Sequence, residues 1–211
     1  MALHTSFCYT GTMFVIHIIT LFIFILVLAC VFHKSFVEML PVGISSLVLL
    51  LYVLSFGRHL GWIDGIAPLL LCGIALYFFT RKGEQRKELL RQCIEILKDP
   101  STIAGLILLL LVVIGVSGKV VSWWDDYNFW ATDVKSIFYR NGFADKYANA
   151  APEFGDYPPG TQMMKWWFLH FSPGQFREGL LFAGYYVFNL SFLLPLLHYI
   201  RKKTPLSMTL G

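Results

Sequence analysis

Apolar residues gather in five long runs, 11–32, 42–56, 63–80, 103–121 and 180–200, separated by polar stretches. A helix that crosses a bilayer needs about 20 mostly apolar residues. The second run has only 15 and would borrow 39–41 or sit tilted against its neighbours. Backbone groups in hydrocarbon must be hydrogen-bonded within their own segment, so runs of this kind read as helices. The pattern predicts an all-α integral membrane protein with about five transmembrane helices. Between the fourth and fifth runs lies the one long non-spanning segment, 122–178, in which two amphipathic surface helices are expected.

Composition sharpens this. Of 211 residues, 56% are hydrophobic and 14% charged, and mean hydropathy is +0.62. A soluble domain carries roughly 25% charged residues, so disorder, coiled coil, collagen and a free soluble enzyme are excluded. The first run is longer than the apolar part of a signal peptide, lacks a basic start and meets His33-Lys34 instead of a small-residue cleavage site, so it reads as an anchor. Cys8, Cys30, Cys72 and Cys93 have neither disulfide-framework nor zinc-site spacing.

The charge of +4 comes from 17 Lys and Arg against 13 Asp and Glu. The basic residues cluster at the ends of apolar runs, which marks topology and lipid headgroups and not nucleic acid. Arg81, Lys82, Arg86, Lys87, Arg91 and Lys98 fall in one segment, and Arg201-Lys202-Lys203 follow the fifth run. Both then face the cytoplasm, and the N-terminus and 122–178 face outwards, as expected of a multi-pass protein of the cell membrane. Leu89, Leu90, Cys93, Ile94 and Leu97 make 84–98 an amphipathic helix on the inner leaflet. Three regions result: four membrane helices in 1–121, the external loop 122–178, and a fifth helix with a basic tail in 179–211.

The loop holds seven of the chain's 13 acids in 57 residues. Long loops without regular structure are uncommon and tend to be functional. It opens Trp123-Trp124-Asp125-Asp126, and from Asp126 to Arg140 the spacing is helical, with Asp125 or Asp126 as N-cap and Gly142 as the stop. Trp130, Asp133, Val134 and Ile137 share a face with Asp126. One reading makes Trp123, Trp124 and Trp130 an aromatic belt and the acids a cap and a solvated neighbour. The other notes that adjacent carboxylates repel and shift each other's proton affinity. Such a pair can take a proton from a hydroxyl or orient a metal-bound phosphate.

Further on, Tyr157-Pro158-Pro159-Gly160 is a stiff turn that launches a second surface helix. Trp166 and Trp167 would join the belt, or the turn would present Tyr157, Lys165 and His170 towards Asp125. Lys135 and Lys165 are placed to neutralise a phosphate or to snorkel to the headgroups. His17 is a polar group inside the first run, and Asp64 lies at the edge of the third.

An apolar span, then Trp-Asp-Asp at 124–126 with Trp130 and Lys135 following, then Tyr157-Pro158-Pro159-Gly160 before the next span, resembles the polytopic GT-C glycosyltransferases. The resemblance covers roughly 103–200 and is closest to the bacterial aminoarabinose-transferase-like and protein-mannosyltransferase-like branch. It implies a polyprenyl-phosphate-linked sugar as donor, a glycan, lipid or protein acceptor in the cell envelope, and inversion at the anomeric carbon. Asp125 matches the family's principal loop carboxylate, and would act as general base or orient the acceptor; Asp126 matches the acid beside it. Trp130, Lys135, Tyr157 and Lys165 would contact substrate. No cofactor is required by the pattern, although a divalent metal is compatible with the acids. Family members are longer and carry the motif after their first span, so the resemblance implies an N-terminal fragment, a truncated reading frame, or one half of a split enzyme whose missing spans a partner chain would supply. Two other readings stand beside this one. The first is a non-catalytic membrane subunit whose loop docks a partner, and the second is a lipid-linked glycan polymerase or ligase.

Overall fold

Sequence-wide hydrophobicity of period neither 2 nor strictly amphipathic leaves helices that are apolar on most sides, and such helices are what the computed structural model contains. It describes residues 2–122, 129–143, 159–172 and 175–203, with side chains within 12–200. Asp125, Asp126 and Tyr157, together with Trp123 and Trp124, lie outside the described residues.

Helix α1 (Ala2–Phe32) ends where His33 takes a left-handed φ of 52°. Three residues later the chain starts α2 (Phe36–Phe56) with a capping box. The Ser35 hydroxyl accepts the Glu38 N–H, and the Glu38 carboxylate accepts the Ser35 N–H at 2.9 Å. The apolar run expected from 42 therefore begins earlier, because α2 passes through Pro41 and gives up one backbone bond. A tight turn at Leu60–Trp62 leads into α3 (Ile63–Thr80).

The amphipathic segment forms α4 (Gly83–Lys98). Cys93, Ile96 and Leu97 pack on the end of the bundle, while Leu90 and Ile94 stay exposed. A 62° bend separates it from α5 (Pro100–Val116), which Pro100 opens. The fourth apolar run is thus displaced: its last residues leave the helix at Ser117 and Gly118, where the Ser117 hydroxyl turns back onto the Ile114 carbonyl. Among the described residues four helical stretches, Thr12–Phe32, Phe36–Phe56, Leu60–Thr80 and Glu178–Ile200, are long and apolar enough to cross a membrane, and the bent α4–α5 pair would make a fifth if it is one broken span. Their outward faces are apolar too. Leu69 is 72% exposed and Leu49 63%, which suits a chain surrounded by hydrocarbon.

Beyond α5 come α6 (Ala131–Arg140), α7 (Gly160–Leu169), α8 (Glu178–Leu193) and α9 (Pro195–Lys203). Helix α6 presents Ala131, Val134 and Ile137 inwards, as the periodicity requires. Its left-handed stop is Asn141, with φ 59°, and not Gly142. Gly142 instead fills a space too tight for a side chain, since a Cβ there would meet the Ser55 carbonyl and the Arg58 Cα at 2.6 Å.

Helix α7 starts at Gly160 as expected, but it is not a surface helix. Every residue from Gln162 to Leu169 is buried. The reason is Gly184 of α8: a Cβ at that position would stand 2.6 Å from the Met164 carbonyl and 2.7 Å from the Lys165 Cα, so the two backbones approach closely. Trp166 and Trp167, read as belt residues, are core, packed with Ile44, Leu51, Ile63 and Ile137. A second core, Ile25, Phe36, Val37, Leu40 and Leu194, holds the other end of the bundle.

Candidate functional site

Segment 122–178 is anchored at both ends. The Val121 N–H donates to the Glu178 carboxylate at 2.6 Å, joining the exit from α5 to the start of α8. Lys119 Nζ donates to the Tyr186 hydroxyl at 3.1 Å and lies over the Phe182 ring. The chain leaves the described residues after Ser122 and returns at buried Phe129.

Within this frame α6 and α7 bring together two of the four substrate-contact candidates. Lys165 is 4% exposed, and its ammonium lies 5.2 Å from the Trp130 ring and 5.2 Å from the Tyr185 ring. Asp133, one turn along α6 from Trp130, is the nearby acid. Burial pushes its carboxyl above the ordinary carboxylate range, and Lys165 opposes that shift without cancelling it. Gln162, fully buried on the same helix as Lys165, has an amide nitrogen without a hydrogen-bond partner. Lys135 is not part of this group. It is exposed and lies 5.8 Å over the Phe176 ring. The Asp125–Asp126 pair and Tyr157 belong to the residues outside the description.

A second polar group was not anticipated as a unit. The Nε2 atoms of His17 on α1 and His170 at the end of α7 both lie against Oδ1 of Asp64, in the first turn of α3, at 3.0 and 2.9 Å. His170 stacks on Trp166, with ring centroids 4.8 Å apart, and Phe171 stands edge-on to His17. Below His17 an apolar crevice of about 120 Å³ opens between α1, α2 and α3, with Thr20, Leu47, Ala67 and Trp167 among its walls. His17 and Asp64 were visible as polar residues in or beside apolar runs, and His170 as a histidine among aromatics. That polar groups at membrane depth need partners was the signal that could have joined them.

Among the described residues the chain is helical throughout its regular structure, with four helices, or up to five if the bent pair is one span, long and apolar enough to cross a membrane. No family model, curated protein or solved structure matches the chain.

Proposed function

We propose that the chain is a membrane-embedded glycosyltransferase of GT-C type, or a portion of one, which moves a sugar from a polyprenyl phosphate to an envelope acceptor with inversion. The observation that supports this best is the packing of the two helices that follow the motifs. The helix after Trp-Asp-Asp and the helix after Tyr-Pro-Pro-Gly pack on each other, and they bring Lys165, Trp130 and Asp133 together.

The chemistry divides among these groups. Asp125 takes the acceptor hydroxyl proton as the oxygen attacks the anomeric carbon, and the lipid phosphate departs from the opposite face. Lys165 offers the departing phosphate a cation in a water-poor setting, where a charge acts more strongly than in bulk water. Trp130 supplies an aromatic wall for the sugar. The apolar crevice beside α1, α2 and α3 is of a kind that suits a hydrocarbon chain.

The test uses membranes containing this chain alone, supplied with radiolabelled polyprenyl-phosphate sugars. Label transfer that disappears in Asp125→Asn, with insertion and amount of protein unchanged, is the expected result. Transfer that survives Asp125→Asn overturns the assignment of the base. Sensitivity at Arg140 and Lys165 with indifference at Asp125 would favour a polymerase or ligase. Loss of a co-purifying chain in Trp130→Ala would favour a docking subunit.

A further inference from the structure

We infer that His17, Asp64 and His170 form a binding site for one divalent transition-metal ion of the Zn²⁺ class, held between α1, α3 and α7. This does not depend on the proposed sugar transfer, and the loop carboxylates take no part in it.

The geometry comes first. One ligand atom from each of the three residues lies within 4.8 Å of the others, and among the described residues this is the grouping of three that does so. Tetrahedral zinc with ligands at 2.0–2.2 Å spaces them by about 3.4 Å. The two Nε2–Oδ1 separations, 3.0 and 2.9 Å, would widen by a few tenths of an ångström to admit the ion, while the two imidazole nitrogens, within 4.8 Å of each other, would close towards the same spacing.

The state of His17 comes second. Its side chain is 1% exposed, and Nε2 has no hydrogen-bond partner although Asp64 Oδ1 is 3.0 Å away. His170 Nε2 does hydrogen-bond to that same oxygen. Both imidazoles thus crowd one carboxylate oxygen, and of the two contacts the one from His17 lacks hydrogen-bond geometry. Buried polar atoms are normally paired. A metal ion supplies what a hydrogen bond here does not, because it accepts both nitrogen lone pairs and the carboxylate together.

The donor set comes third. Two imidazoles and one carboxylate suit Zn²⁺ and its neighbours, whereas Ca²⁺ and Mg²⁺ prefer all-oxygen shells. Three protein ligands leave a fourth position open for water or another ligand. Entry is available from the helix ends, where the Asp64 and His170 side chains are 27% and 19% exposed. Trp166, stacked on His170, holds that ring in place.

The test loads the full chain, purified in detergent and stripped with a chelator, with Co²⁺ in place of Zn²⁺. The expected result is one Co²⁺ per chain with the intense visible bands of a four-coordinate site, displaced by Zn²⁺. Asp64→Asn and His170→Gln should each weaken binding by about 100-fold or more, since even partners one shell out cost 10–100-fold. His198→Gln, at the other end of the bundle, should leave the titration unchanged. His170→Cys should add a thiolate-to-cobalt charge-transfer band absent from the wild type. Failure of the wild-type chain to develop the visible bands overturns the site, as do bands that persist in both Asp64→Asn and His170→Gln. Either result would leave a metal-free His–Asp–His cluster in which His170 hydrogen-bonds to Asp64 and His17 lies against it. A variant that does not fold leaves the wild-type spectrum decisive.

Discussion

Asn141 reaches across eighty residues of chain to Gly61, whose backbone N–H it accepts on Oδ1 at 2.8 Å. Its Nδ2 donates to the Arg58 carbonyl, and its own carbonyl accepts the Leu60 N–H. One residue therefore stops α6 and ties it to the α2–α3 turn. Asn tolerates the left-handed conformation better than most residues, because its short polar side chain bonds locally. Asn141→Ala should lose both features and destabilise by about 1–3 kcal/mol, whereas Asn141→Gly keeps the backbone freedom and should cost less. Thermal unfolding in detergent, followed by tryptophan emission, measures both. Equal losses in the two variants would mean that backbone strain contributes nothing.

Gly184 is the point at which α7 and α8 touch backbone to backbone. Adding one methyl group there forces the helices apart, because the atoms it meets belong to the main chain and not to a flexible side chain. Gly184→Ala should lower stability by about 1–3 kcal/mol. It should also open the packing around Lys165, making that amine reactive to a water-soluble acylating reagent that spares it in the wild type. A variant as stable as the parent, with Lys165 still protected, would contradict the close packing.

The Asp133 carboxyl carries a pH signature. Its value in the folded protein stands above the ordinary 3.8, chiefly through burial. Between those two values the folded chain binds more protons than the unfolded one, so the unfolding free energy falls as pH rises. The contribution is whole below about 3.8 and is lost as pH climbs through the folded value. The stability of the parent minus that of Asp133→Asn should thus decline from acid towards neutral pH. A difference that grows with pH would mean that attraction to Lys165 outweighs burial.

Cys30 on α1 and Cys93 on α4 approach to 3.4 Å between sulfurs. A disulfide needs about 2.05 Å, a gap that side-chain rotation can close. Diamide should convert the two thiols to a disulfide, its azo bond taking up both hydrogens. Peptide mapping should then find Cys30 joined to Cys93, while exposed Cys72 still alkylates. A linkage of either residue to another chain in preference to this one would contradict the packing of α4 against α1.

Hydropathy alone located the helices long and apolar enough to cross a membrane, apart from the displaced fourth run, because a 20-residue apolar run has few other options in lipid. Their ends were less visible. The apolar run counted from 42 would borrow 39–41, and α2 starts earlier still, at Phe36, running through Pro41 because a capping box and core packing outweigh one missing bond. The largest misreading was α7. Its Trp166-Trp167 pair looks interfacial in one dimension, and only the close approach allowed by Gly184 shows it to be interior. The His17–Asp64–His170 cluster joins three helices across separations that no local spacing encodes. The pairing of Lys165 with Trp130 was half legible, since both were already suspected of serving one site.

The wide separation of those cluster residues has a consequence for biogenesis. His170 is made 106 residues after Asp64, an interval of roughly 5–20 s at ribosomal rates. Throughout that time α3 must be accommodated with only His17 at hand to meet its carboxylate. The first three helices can assemble early, but their polar junction is completed only when α7 arrives. A nascent chain stalled before that point carries Asp64 with only one of its two imidazole neighbours.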